Sequence, residues 1–432
     1  MEYLIYSDES NHDRSITKKN EETFSVLNID KKNQSREYVR SYCVISSGIN
    51  QNLKKRFIES ENTLRNPLAT NKSYEIKATD CLKITGKMGV TQVEDKYINH
   101  LMNCLDMIRE FSMKLIIVNY NKIEYIIEQS LVIDIKRLKK IDRLYNEESV
   151  KYSYAKYIQN HYTDNLLEIL FSEKNSQTNY KIKREILRIN KMLKKYPLKK
   201  NEFLVGRTMG KMIEQQFISF NAKESYSWNY NLETNLMIEY LDNQKNSKKY
   251  NIVFDKGTKA TKVFKEKVKG NKSIGIVKDS DSKEDEILRF VDWMATFFGK
   301  LLRSYSNSMK INRRENEEIA LGTVADLERD WFNLSKLQYE LIQKMDKLFK
   351  SNAISFLSGV LADNSLGLLN YFDYVGSFES YEQFNRIELY RHGQRNNYNL
   401  NSVWQEYYKQ RNILFDSNDT TKGITSEFYR NL

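Results

Sequence analysis

Residues 5–13 read IYSDESNHD, and the assignment of this stretch decides the fold. Tyr3, Leu4, Ile5 and Tyr6 are aromatic or branched-aliphatic side chains that suit a pleated, buried strand better than a helix. A strand ending at Asp8 carries a carboxylate out of the core toward a crevice, with Glu9 beside it. Taken alone, Asp8-Glu9-Ser10-Asn11 is ordinary turn chemistry. Its meaning depends on whether other carboxylates are placed to meet it.

Outward from this strand, residues 1–120 read as mixed α/β. A polar loop leads to YVRSYCVISSGI (38–49), which is strand-like, and then to the charged amphipathic segment NQNLKKRFIESENTLRN (50–66), stopped near Pro67. VEDKYINHLMNCLDMIREF (93–111) repeats apolar residues at helical spacing, and MKLIIVNY (113–120) reads as a buried strand. Between about 121 and 235 the composition favours helices, which predicts a large helical insertion. NIVFDKGTKATKVFKEKV (251–268) resumes the pattern of strand and helix, and KSIGIVKDS (272–280) adds a further strand. A long helix follows from about Lys283 to Ser304. The expected architecture is an α/β domain over 1–307, with a mixed sheet flanked by helices, and an all-α domain over 308–432.

The 432 residues hold 69 Lys plus Arg against 57 Asp plus Glu, a formal charge of +12. Such a charge suits polyanions, nucleic acid above all, although abundant lysine, asparagine and isoleucine would raise it without any partner. Three cysteines and four scattered histidines form neither a disulfide framework nor a zinc site. The most apolar run, ILRFVDWMATFFGKLL (287–302), is broken by Arg289, Asp292 and Lys300, so no membrane span is expected. No signal-peptide pattern opens the chain. Together these predict a cytoplasmic, reduced protein.

Three further carboxylates are candidates to meet Asp8. Asp255 ends NIVFD as Asp8 ends LIYSD, and open α/β sheets place their sites at such strand ends; taken alone it reads as a turn or helix-cap residue. Asp292 lies in a helix apolar around most of its circumference, where an unpaired carboxylate would cost several kcal/mol. Arg289, Asp292, Thr296, Lys300 and Arg303 recur at helical spacing, as either a solvated stripe or the lining of a wet crevice. Glu75, in SYEIKATDC (73–81), shares one side of an extended segment with Lys77, a pattern whose default reading is a surface ion pair. Carboxylates converging from separate elements suit hard divalent cations, and two such ions can clamp a phosphodiester.

This arrangement resembles the domain of unknown function 3800 family, whose members look ribonuclease H-like. IYSDES (5–10) matches its Asp-Glu-Ser-Gly strand end, with Asn11 replacing glycine, and YEIKA (74–78) its Glu-x-Lys. IVFD (252–255) matches its second strand-end Asp. DSKEDEILRFVDWMA (281–295) is similar to its Gln-Leu-Ala-Asp-x-x-Ala helix, with Arg289 in place of glutamine. The resemblance covers residues 1–120 and about 240–305. It implies a ribonuclease H-like fold and metal-dependent nuclease activity, with Mg2+ or Mn2+, two ions, held by Asp8, Glu75, Asp255 and Asp292, and Glu9 as an extra carboxylate. Lys77 would contact the scissile phosphate or orient Glu75. A role in host defence follows only by association; the departures at Asn11 and Arg289 leave an inactive nucleic-acid or protein-binding module as one alternative, and a toxin-like effector whose C-terminal helical domain senses a protein partner is the other.

YKIKREILRINKMLKKYPLKK (180–200) bears on nucleic-acid binding. Ile182, Ile186, Ile189 and Leu193 form an apolar stripe, and Lys183, Arg184, Arg188 and Lys191 are candidate phosphate contacts. The commoner arrangement is a core-packed helix with a solvated lysine face. RHGQRNNYNLN (391–401), with Arg391, His392 and Arg395 together, reads as a surface loop, a His-centred ribonuclease site being the alternative. SFLSGVLADNSLGLLNYF (355–372) reads as an apolar helix pair, packed within its own domain or against a second subunit.

Overall fold

Alternate side chains of β1 (Glu2–Ser10) enter two different cores: Ile5 joins one and Tyr6 the other. The sheet therefore has both faces covered, as the apolar strands on either side of it require. The computed structural model describes residues 2–10, 16–19, 23–24, 37–65, 76–84, 86–141, 146–161, 163–173, 175–195, 200–244, 248–309 and 327–409. The other strands of the main sheet are β2 (Glu37–Ser46), β3 (Lys114–Asn121), β4 (Lys249–Asp255), β5 (Ile274–Ser280) and β6 (Ile354–Ser358). Their order is β5-β4-β1-β2-β3-β6. Only β2 runs against its neighbours; β1 with β4, β4 with β5, and β3 with β6 are parallel. The protein is α/β, a six-stranded mixed sheet flanked by helices.

On the Tyr6 face lie α1 (Asn50–Asn62), α2 (Asp95–Glu110) and the long helix α4 (Glu286–Ser308), whose first turn is capped by Asp285 accepting from the Ile287 amide at 3.2 Å. On the Ile5 face lie the helices of the insertion, ending in α3 (Asn231–Asn243), and the helix Ala260–Lys267. The insertion is not purely helical. Leu131–Ile133 pairs with Ile218–Phe220, and Ile16–Lys19 with Ser225–Tyr226. No described helix is long and apolar enough to cross a membrane.

The expected all-α domain from residue 308 is corrected by β6. Ile354–Ser358 adds to the main sheet beside β3 in register, Ile354 with Leu115 through Ser358 with Asn119. The helices around it, α5 (Lys336–Lys350) and α6 (Asp363–Gly376), bury Ile342, Met345, Leu368 and Phe372 in the same core as α4. Residues 327–409 therefore complete the sheet domain, and the stretch read as a helix pair is a strand followed by a helix. Residues 391–401 are likewise helical, within Leu389–Lys409, and His392 is fully buried, its ring bonded to Tyr374 Oη at 2.8 Å. That excludes both the surface loop and an open histidine site.

Candidate carboxylate centre

Ser7 and Phe254 are partners in the parallel pairing of β1 with β4. One residue further along each strand stand Asp8 and Asp255, at the C-terminal edge and on the face covered by α4. This is the juxtaposition expected of them. Asp255 is fixed by the Ser282 amide, which donates to its Oδ1 at 3.1 Å, and Asp8 Oδ1 accepts from the Glu9 amide at 2.7 Å. Asp292 comes down onto them from the middle of α4, taking a long bond of 3.4 Å from Thr296 Oγ1.

The three charges act on one another. Burial pushes the Asp8 carboxyl well above the ordinary carboxylate range, and the negative charges of Asp292 and then Asp255 push it further. Asp255 is raised as well, by burial, against the pull of the Ser282 and Lys256 amides and the positive charge of Lys77. Lys77 thus stands within electrostatic reach of the centre. It immediately precedes the short helix Ala78–Cys81, which Lys300 of α4 fastens in place by donating to the carbonyls of Thr79 at 2.7 Å and Leu82 at 2.6 Å. Opposite Asp8 in the antiparallel register, Ser41 Oγ is buried and finds no hydrogen-bond partner among the described residues. Glu75 lies outside the described residues, as does Asn11.

The donor chemistry, all carboxylate oxygen with an orphaned hydroxyl beside it, fits a hard divalent cation in kind. The placement is looser. Among the described residues no group of three His, Cys, Asp or Glu side chains is set to hold a metal ion. Asp8, Asp255 and Asp292 share a field without enclosing a point.

Glu9 is corrected. Side chains alternate along β1, so Glu9 faces the other core, in register with Arg40 of β2. There it pairs with the buried Arg40 guanidinium, which also meets Glu233 Oε1 of α3 at 3.1 Å and Ser7 Oγ at 3.2 Å. Tyr38 Oη lies 3.0 Å from Glu9 Oε2 and 2.8 Å from Glu233 Oε1, with one proton to give. Trp228 Nε1 donates to the other oxygen of Glu233 at 3.2 Å. Arg40 Nη2 also reaches Thr258 Oγ1, at 3.4 Å, in the turn that follows Asp255. Glu9 is therefore part of a buried knot behind the centre. The signal that could have found this knot is the lone arginine inside the apolar run YVRSYCVIS, since a buried guanidinium demands carboxylates.

Arg289, at the position where the resemblance expects glutamine, bonds Glu61 of α1 at 3.1 Å and the carbonyls of Ser282 and Lys283 at 3.3 Å each. It buttresses the loop that carries the Ser282 amide to Asp255. The basic helix, Thr178–Leu193, buries Ile182, Ile186, Ile189 and Leu193 as its stripe requires. Two of its four candidate phosphate contacts are engaged, Lys183 with Glu214 at 2.9 Å and Arg188 with Glu185 at 2.7 Å, while Arg184 and Lys191 are exposed.

No family model matches this chain, and no curated protein or solved structure matches it either.

Proposed function

We propose that the protein is a divalent-metal-dependent phosphodiesterase acting on nucleic acid, with a ribonuclease H-like sheet as its scaffold. The observation that carries this reading is the shared field of Asp8, Asp255 and Asp292 at the C-terminal edge of two adjacent parallel strands. Three carboxylates from three elements repel one another where burial already disfavours their charge, and a cation would relieve both costs. Asp8, Asp255 and Asp292, with Glu75, would hold Mg2+ or Mn2+, which supplies activation of water and neutralisation of charge on the phosphodiester. Lys77 would offer its ammonium to a phosphate oxygen, held near Asp255 by the Lys300 anchor of the following helix. Arg289 and the Ser282 amide keep Asp255 in place.

The test is hydrolysis of single- and double-stranded DNA and RNA with Mg2+, Mn2+ or chelator, beside melts with and without metal. Asp8→Asn and Asp292→Asn should lower cleavage by orders of magnitude while remaining folded. The looseness of the three carboxylates favours a second reading, a binding module of the same fold without catalysis. Metal that neither raises the wild-type melting temperature nor supports cleavage would select it.

A further inference from the structure

Beyond Asp255 the chain enters a strongly one-sided stretch of charge. From Lys256 to Lys278 there are eight lysines and a single acidic residue, Glu266, which is more than half of the formal +12 of the whole protein. All eight lysines are exposed. They ride on one structural unit: the turn after β4, the helix Ala260–Lys267 and the edge strand β5. Thr261 and Phe264 hold the helix to the sheet, and the lysines recur at three- and four-residue spacing along its outer side. Among the described residues none of the eight lysines enters an ion pair; Lys267 donates to the neutral Asn235 at 2.7 Å. Cations elsewhere include matched ones, such as Arg289 with Glu61 and Arg188 with Glu185.

The patch adjoins the carboxylate centre. Lys256 follows Asp255 directly, its amide bonded to the Ser280 carbonyl at 2.8 Å, and Lys278 of β5 lies in register with Val253 of β4. An eight-residue helix is about 12 Å long, enough to run beside roughly three phosphates of one strand at about 3.4 Å each. Like charges crowded without counter-charge disfavour themselves, and a polyanion relieves that.

We propose that the lysine face of the turn, the helix Ala260–Lys267 and β5 is where the phosphate backbone of a nucleic acid docks, leading it to Asp255 and Asp8. The proposal rests on the phosphodiesterase reading for the class of substrate, and it moves backbone binding away from the helix Thr178–Leu193. Contacts of this kind are sequence-independent and release counterions, so they set affinity and salt dependence rather than base choice.

The experiment measures binding of fluorescein-labelled single-stranded and duplex DNA and RNA to the full chain in chelator, across a salt series. It compares wild type, a quadruple variant (Lys256→Gln, Lys259→Gln, Lys262→Gln, Lys265→Gln) and a control (Lys183→Gln, Arg184→Gln, Arg188→Gln, Lys191→Gln). The substituted lysines of the first set are exposed, and an unchanged melting temperature checks its folding. The expected result is a weakening of 10-fold or more in the first set, with the slope of log K against log salt shallower by about 3, and a control that binds as wild type does. Equal affinity and slope in the first set and wild type would overturn the proposal, as would a wild type that binds no oligonucleotide. So would a lysine set needed only for phosphatidylserine vesicles. Because chelator removes hydrolysis from the assay, binding that depends on these lysines with no cleavage in metal leaves the docking face standing and removes the enzyme. Cleavage that ignores them does the reverse.

Discussion

Arg40 Nε stands 3.1 Å from Glu233 Oε1 while its Nη2 is bonded to Glu9, the residue next to Asp8. One buried guanidinium thus joins the strand that carries Asp8 to the helix that closes the insertion. Through Thr258 it also touches the turn that leaves Asp255. The rings of Tyr230 and Phe254 lie 5.5 and 5.6 Å from it and complete its desolvation.

Removing that cation leaves two buried carboxylates facing each other. Arg40→Met should cost about 3–5 kcal/mol by chemical denaturation, with Arg40→Lys recovering part of the loss. A cost below about 1 kcal/mol would mean that the knot is not formed in solution.

Buried acids and buried histidines should pull stability in opposite directions with pH. Glu233 is pushed from 4.5 up to about 7, first by burial, with Arg40 opposing and Glu9 adding; burial likewise takes Glu124 to about 8. The fold holds these protons more tightly than the unfolded chain does, so their contribution is fully present below about pH 4.5 and is lost as pH rises from there through about 7 to 8. Burial lowers His100 and His392 to about 4 each. They stay neutral in the fold while the unfolded chain protonates, so stability is lost as pH falls from about 6.5 toward 4. Glu233→Gln should flatten the alkaline limb of a melting-temperature profile, the decline as pH rises from about 4.5 through 7. A profile in which the alkaline limb keeps its wild-type slope would count against the raised Glu233.

Asp8→Asn should be at least as stable as wild type in the absence of metal, with its advantage growing as pH rises above the ordinary carboxylate range. Burial and the charges of Asp292 and Asp255 hold the Asp8 carboxyl above its unfolded value, so ionising it costs folding free energy, and an amide avoids that cost. The difference should vanish at low pH, where all three carboxyls are protonated. A clear loss of stability in urea titrations would mean that Asp8 is held by favourable contacts instead.

Gly89→Ala should cost about 1–3 kcal/mol. Its φ is +56°, and an added Cβ would meet the Trp331 ring at 2.8 to 3.0 Å. Trp331 is fully buried and donates to Ser308 Oγ at 2.7 Å, so the ring has nowhere to yield. Thermal melts of the variant decide it.

Most of the scaffold was legible because the strands of the sheet announce themselves by residue type. LIYSD and NIVFD are both apolar runs ending in a carboxylate, and that likeness correctly put Asp8 and Asp255 on neighbouring strand ends. The period of two along β1 was the information left unused. It sends Glu9 away from Asp8, and adjacency in sequence concealed that. β6 was missed for a different reason: ISFLS is five residues long and sits among tyrosine, phenylalanine and leucine that also suit helices, so only its partner β3 identifies it as a strand. His392 was read by the polarity of its neighbours, whereas helical spacing turns Arg391 and Gln394 outward and His392 inward against Phe384 and Tyr374.

The pairing of Leu115–Asn119 with Ile354–Ser358 has a consequence for how the molecule is made. The outer edge of β3 is Leu-Ile-Ile-Val-Asn, a bare apolar template until residues 354–358 have been synthesised and have emerged. The nascent chain therefore carries an open strand edge through most of its translation. Any product that stops short of residue 354 keeps that edge for good and is the species most prone to join others like it.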